Sequence, residues 1–286
     1  MNPIGIMQGR LLPPINGRIQ SFPAQAWRDE FALARQAGLN CIEWIYEKEN
    51  EDLNPLGSNA GLAEMRKLSV ASGVLIRSIC ADYFMTELLV TQSGDPDAKN
   101  LQQLKWLIGR GGALGIRYIV LPFVDSSSIK TPPQLEGLLA VLKEICPVVE
   151  QEKVEIHLET DLQPAELAAV LQKINHPLIR ANYDSGNSAS LGYDPEEELT
   201  LLTPWLASVH IKDRLRGGGT VPLGTGDTKL DLCFQMFQKA NYQGFFVLQA
   251  ARSSAMSEVD WAIANRKFVE KHLSSASNQV RPNQSS

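Results

Sequence analysis

The chain is poor in the residues that staple small folds together. Its four cysteines, Cys41, Cys80, Cys146 and Cys233, lie far apart and form no Cys-x-x-Cys pair. Two of them fall in strand-like segments, so buried reduced thiols are expected rather than disulfides or a zinc knuckle. No apolar run approaches the ~18 residues of a transmembrane helix, and the first residues lack the basic-then-apolar order of a leader. A cytoplasmic protein without membrane contact is the expectation. Positive charge is not in excess: 27 Lys and Arg against 32 Asp and Glu give a net charge of −5 and a pI near 5.5. General attraction to nucleic-acid phosphates is thereby disfavoured. Dinucleotide binding has no fingerprint either. No Gly-x-Gly-x-x-Gly follows a strand-like segment, and Gly109-Arg110-Gly111-Gly112 lies within or just after a helical stretch.

What the chain does have is alternation. Eight short apolar or alternating segments are each followed by a stretch with helical spacing. They begin with Ile4–Met7 and continue through Leu39–Trp44, Val74–Cys80, Ile116–Leu121, Val154–Glu159 and Ile179–Asp184. Ser208–Asp213 and Phe245–Gln249 complete the set. Between them, Leu101, Leu104 and Ile108 make a helical stripe, as do Leu135, Leu138, Leu142 and Ile145, while Gly38 and Gly73 read as helix stops. Eight strand–helix units in 286 residues fit a single (β/α)8 TIM barrel, which typically needs about 250 residues. The barrel is expected over 1–273, and 274–286, rich in Ser, Asn, Gln and Pro, reads as a disordered tail.

A barrel brings the C-terminal ends of its strands to one central volume. Four consecutive strand ends here carry Glu159, Asp184, His210 and Gln249. None is near another in the chain, so only the barrel unites them. Two carboxylates, an imidazole and an amide oxygen suit a divalent cation such as Mn²⁺, Mg²⁺ or Zn²⁺, with room for substrate oxygens. Arg10, Lys212, Arg214, Arg216 and Arg252 lie at or beyond strand ends and predict a basic mouth able to hold a phosphate or carboxylate. Gln8 and Glu43 are further candidates for substrate contact, while Trp44 and Phe123, which could wall a sugar face, are expected to serve ordinary packing. His176 and His272 fall outside the strand ends and read as structural or exposed.

On these residues the chain resembles the xylose-isomerase-like TIM barrels, a sugar isomerase and epimerase superfamily that also includes inosose dehydratases and endonuclease-IV-type nucleases. The resemblance runs over residues 4–273. It is carried by His210-Ile211-Lys212-Asp213, Leu223-Gly224-Thr225-Gly226-Asp227, Leu158-Glu159 and Tyr183-Asp184-Ser185-Gly186-Asn187. It implies a small-molecule sugar substrate and a metal held at Glu159, Asp184 and His210, with a final-strand glutamate as fourth ligand. It also implies two glutamates acting as acid and base in the epimerases, and barrels that often pair, hence a homodimer. The nuclease branch uses three metals and several histidines, and the four histidines here do not support it.

The chain departs from the family at the last strand, where Gln249 replaces the glutamate. An amide oxygen can ligate but has no proton to exchange near neutral pH. Weaker metal binding is expected, with Glu159 left as the metal-bound glutamate. Moving a proton beside a carbonyl through an enediolate needs a base and a cation. One base suffices for aldose–ketose isomerisation or a dehydration, whereas epimerisation by proton transfer commonly calls for two groups. His157, Lys212 and Glu43 are the candidates for a second. The readings that stay open are a metal-dependent sugar isomerase or epimerase, an inosose-dehydratase-like lyase on a keto-polyol, and a sugar-binding protein that lost catalysis through Gln249.

Overall fold

The structure, a computed structural model, describes residues 2–279. The strands in chain order are β1 (Ile4–Met7), β2 (Cys41–Ile45), β3 (Leu75–Cys80), β4 (Tyr118–Phe123), β5 (Glu155–Thr160), β6 (Ile179–Asp184) and β7 (Leu206–Ile211). A small hairpin of β8 (Asp213–Arg214) and β9 (Thr220–Val221) follows, and then β10 (Phe246–Leu248). Eight of them close into a parallel barrel in the order β1-β10-β7-β6-β5-β4-β3-β2, while β8 and β9 pair with each other outside it. The expected (β/α)8 barrel is what the chain forms.

Both faces of a barrel strand are covered, so polarity rather than exposure tells them apart. In β5, Ile156 and Leu158 are fully buried in the apolar shell, and the alternate residues Glu155, His157 and Glu159 turn to the interior. The register carries this arrangement around the ring, pairing His157 with Val120, Asn182 with Ser208, and Asp184 with His210. Lower in the barrel, the His157 ring stacks on Tyr118 with centroids 4.2 Å apart.

The helices are α1 (Asp29–Gln36), α2 (Asn59–Ser72), α3 (Ala98–Leu114), α4 (Pro132–Glu152), α5 (Pro164–Ile174), α6 (Ser185–Leu191), α7 (Pro195–Leu202), α8 (Leu230–Lys239) and α9 (Glu258–Gln279). Local chemistry marks their ends. Ser58, Asp97 and Thr131 each accept a backbone N–H in the first turn, and α2 stops at Gly73 in the left-handed region. Leu104, Leu107 and Ile108 of α3 are fully buried, each stabilising the fold by roughly 1.5–3 kcal/mol. Two elements differ from the sequence reading. Helix α6 begins directly at the end of β6, and the expected strand Ser208–Asp213 divides into the end of β7 at Ile211 and the β8–β9 hairpin that starts at Asp213. Helix α9 continues past the boundary expected at Leu273, and 280–286 of the expected tail lies outside the described residues. Among the described residues, no helix is long and apolar enough to cross a membrane.

Candidate active site

At the C-terminal end of the barrel, one ligand atom from each of Glu159, Asp184 and His210 lies within 4.8 Å of the others, and all three residues are buried. Each side chain is held by its neighbours. The Nε2–H of His210 donates to Glu43 Oε1 at 2.6 Å, and Ser78 Oγ donates to Glu43 Oε2 at 2.6 Å. His210 Nδ1 therefore faces the cluster, 3.3 Å from Glu159 Oε2 and 3.9 Å from Asp184 Oδ2. A carboxylate behind a histidine fixes the ring and raises its basicity, as around metal-ligating histidines. Burial works to lower His210, but the Glu43 and Glu159 carboxylates overcome it and raise it to about 10.

Asp184 serves two elements at once. Its Oδ1 caps α6 by accepting from Gly186 N at 3.0 Å and Asn187 N at 2.9 Å, which explains why Asp-Ser-Gly-Asn follows the strand. Its Oδ2 turns to the site, 2.7 Å from Lys212 Nζ. Burial opposes the charge, yet Lys212 and His210 hold this carboxyl below its ordinary value. Glu159 accepts from Asn187 Nδ2 at 2.7 Å on Oε1 and from Asn182 Nδ2 at 3.4 Å on Oε2.

Gln249 follows β10, with its backbone N–H bonded to Ile211 O of β7 at 3.0 Å. Its Nε2 donates to Gln20 Oε1 at 2.9 Å, whereas its Oε1 is buried without a hydrogen-bond partner. A buried carbonyl left unpaired costs about 1–3 kcal/mol, and a cation would satisfy it. Two carboxylates, an imidazole nitrogen with a carboxylate behind it and an unpaired amide oxygen fit a hard divalent cation.

Above the cluster opens a cavity of about 780 Å³, lined by Glu159, Lys212 and Gln249 among others. It is not the basic mouth expected from the sequence. Arg18 is paired with Glu47 and Glu49, Lys48 with Glu51, and Lys212 with Asp184. Arg214 donates to Asn187 Oδ1 and to Gly218 O. Asp82, which the sequence reading missed, also lines the cavity, two residues beyond the end of β3. The strand-end rule extended by two residues would have found it. Burial raises its carboxyl, and the charges of Glu159 and Glu43 push the same way.

The structure moves several expected site residues elsewhere. Glu43 lies two residues before the end of β2, fully buried beneath His210, and does not line the mouth. His157, proposed as a proton donor, sits a layer lower with both ring nitrogens taken, by Ser208 Oγ at 2.8 Å and Glu155 Oε2 at 2.9 Å. Gln8 is fully buried and accepts from Ile45 N at 2.9 Å, tying β1 to β2. Arg252 gives its guanidinium to Leu12 O, Gly9 O and Ile19 O and pairs with Glu258, so it anchors the first loop. Arg216 is exposed and lines a separate groove beside Gly192 and Lys229. Arg10 does border the cavity, bonded to Ala250 O and Gln20. Burial, with Arg252 nearby, lowers it to about 10. Trp44 and Phe123 are core residues, not walls. His176 and His272 bond Glu150 and Phe268 O, away from the site.

The remaining signature residues shape the loop. Asp213 is fully buried and accepts from Gly224 N at 2.8 Å, Gly226 N at 2.9 Å and Thr228 N at 3.1 Å. A side chain at 226 would bring its Cβ within 2.3 Å of Asp213 Oδ1, and Gly224 has φ +83°, so glycine is required at both. His-x-Lys-Asp and Leu-Gly-x-Gly are thus two halves of one backbone anchor.

A parallel barrel with a buried carboxylate–histidine cluster at its C-terminal mouth defines the class. The family model of the xylose isomerase-like TIM barrel matches residues 31–272, and the chain belongs to that family. The L-ribulose-5-phosphate 3-epimerase of Shigella flexneri serotype 5b is 23% identical over 266 residues, covering 90% of this chain and 94% of that protein. An L-ribulose 3-epimerase structure matches with TM-score 0.77 and 17% identity over 100% of both chains. A xylose isomerase-like TIM barrel protein from Mycobacterium smegmatis, solved in complex with magnesium, matches with TM-score 0.69 and 19% identity. It covers 96% of this chain and 98% of its own.

Proposed function

We propose that the chain is a cytoplasmic, divalent-metal-dependent sugar epimerase or isomerase in which Glu159 moves the proton beside the substrate carbonyl. The observation that carries this reading is the convergence of Glu159, Asp184 and His210 beneath an open cavity that Glu159 itself lines. A divalent cation held by these residues and the Gln249 carbonyl would stabilise negative charge developing on the substrate's oxygen. Glu159 has two jobs to share between its oxygens, and the Asn182 and Asn187 donors keep it oriented for both. Lys212 neutralises Asp184 and borders the cavity, where it is placed to donate to a substrate oxygen. The similarity to L-ribulose-5-phosphate 3-epimerase supports proton exchange next to a ketose carbonyl.

Gln249 favours a second reading within the same chemistry. With no ionisable group there, one-base isomerisation or loss of water from a keto-polyol needs fewer groups than two-base epimerisation. One experiment separates these outcomes. The full chain, supplied with Mn²⁺, is incubated with a panel of ketoses and keto-polyols in deuterated water, and exchange and products are followed by NMR. Deuterium entry next to the carbonyl supports the proposal, and the product identifies epimer, isomer or dehydrated sugar. Sugar binding without any exchange across the panel would overturn it in favour of a binding protein.

A further inference from the structure

The Gln249 side chain has two ends of nearly equal shape and opposite hydrogen-bonding sense, and only the carbonyl end can ligate a cation. Turned the other way, it would place an NH₂, which cannot ligate, where the buried unpaired oxygen now lies. Something must hold the amide in the ligating sense. The structure contains a chain of three side chains that does so.

Asp82 Oδ2 accepts from Gln20 Nε2 at 2.7 Å. That bond directs Gln20 Oε1 the other way, where it accepts from Gln249 Nε2 at 2.9 Å and from Arg10 Nη2 at 3.3 Å. A guanidinium only donates, so Arg10 selects the Gln20 oxygen independently of Asp82. With Gln20 fixed from both ends, Gln249 can present only its nitrogen to it. A reversed Gln249 would set two carbonyl oxygens against each other. The Gln249 oxygen is consequently left buried and unpaired at the end of β10, beside the strand that carries His210. The network draws on three separate segments: the first loop through Arg10 and Gln20, the turn after β3 through Asp82, and β10. A carboxylate at 249 would present an oxygen in either orientation and would need none of it.

We propose that Gln20, held by Asp82 and Arg10, is a positioning residue that turns the Gln249 amide so that its carbonyl oxygen faces the Glu159–Asp184–His210 cluster. This rests on the metal-centre reading above. The network makes a neutral last-strand ligand workable, and the replacement of glutamate by glutamine depends on it.

The test is a double-mutant cycle on the full chain, with Mn²⁺ affinity read by titration calorimetry. Gln20→Met keeps the length of the side chain and removes the acceptor. In the unaltered background it is expected to weaken Mn²⁺ binding about 10- to 100-fold, the usual effect of losing a partner behind a ligand. In a Gln249→Glu background the same change is expected not to weaken Mn²⁺ binding, because a carboxylate needs no turning and has no donor bond to Gln20 to lose. Gln20→Glu restores an acceptor for Gln249 and Arg10 and should bind closer to the unaltered chain than to Gln20→Met. Thermal melting of each variant shows whether it is folded, and Gln20→Ala, which also removes the acceptor, is taken through the same cycle should Gln20→Met fail to fold. Equal losses in both backgrounds, or no loss in the unaltered one, would overturn the proposal. No Mn²⁺ binding by the unaltered chain would remove the metal centre itself and this inference with it, a result distinct from unchanged affinity in Gln20→Met.

Discussion

The ends of β5 and β10 open on the same cavity and are built on different principles. At β5 the working group is an ionisable carboxylate, Glu159, steadied by amide donors from Asn182 and Asn187. At β10 it is an amide, Gln249, steadied through its nitrogen by Gln20, with its oxygen left over. Behind the first stand groups that set charge: Asp184, Lys212 and the His210–Glu43 pair. Behind the second stand groups that set direction: Gln20, Arg10 and Asp82. On the proposed reading, the β5 rim offers a carboxylate able to move a proton, and the β10 rim only an oxygen to present. Chemistry in this chain is expected to be lopsided across the mouth.

The largest effect that tests this asymmetry is Glu159→Gln, which makes both rims amides. Solvent deuterium exchange into substrate is expected to fall about 10²- to 10⁴-fold, the range for a lost acid–base group. Retained exchange would assign proton transfer to another group, Asp82 being a further carboxyl that lines the cavity. Next in size is Glu43→Gln, which strips the carboxylate from behind His210. Mn²⁺ affinity should drop about 10- to 100-fold in calorimetry while the melting temperature stays close to that of the parent. Equal affinity would mean that the charge-setting side does not depend on this pair.

The smallest effect on exchange concerns Glu30 of α1, which is fully buried and accepts from Gly9 N of the loop after β1 at 2.6 Å. Burial raises it from an ordinary 4.5 to about 8. The folded chain therefore keeps a proton that the unfolded chain releases between those two values. Stability falls as pH rises through that window, by up to about 1.4 kcal/mol per pH unit from this group. Denaturant melts of Glu30→Gln across that range should be flatter than those of the parent, with the pH profile of exchange unchanged. A shifted exchange profile would place Glu30 in the chemistry and break the asymmetry.

Much of this was legible in the chain before any coordinates. Strand alternation places Glu159, Asp184 and His210 on the interior face, and chain order places them on neighbouring strands, so the cluster needed only barrel closure. Glu43 shows where such reasoning stops. It is a strand carboxylate like Glu159, but β2 runs on to Ile45, and those two extra residues set it beneath the histidine rather than beside the substrate. Gln8 and Arg252 were out of reach for another reason: their partners are backbone groups such as Ile45 N, Leu12 O and Gly9 O, which no pattern of residue types records. Gln20 left no signal at all. It sits in an irregular loop, and its meaning lies in which end of its amide faces Asp82, a property of three dimensions only.

The buried Asp213 anchor has a consequence for how such a protein can change. Three backbone amides of the segment 224–228 converge on one carboxylate that stands three positions after the site histidine. Between the two fastening points the backbone adds ties of its own, Arg216 N–H donating to Asp227 Oδ2 at 2.7 Å and Arg214 O accepting from Asp227 N at 2.9 Å, while the side chains of Leu215 and Arg216 stay exposed. These exposed side chains are the exchangeable part over a fixed frame: they can be rewritten to suit a new sugar while the backbone clasp stays shut. A graft bounded by Asp213 and Gly224 is therefore the place to begin retargeting this barrel.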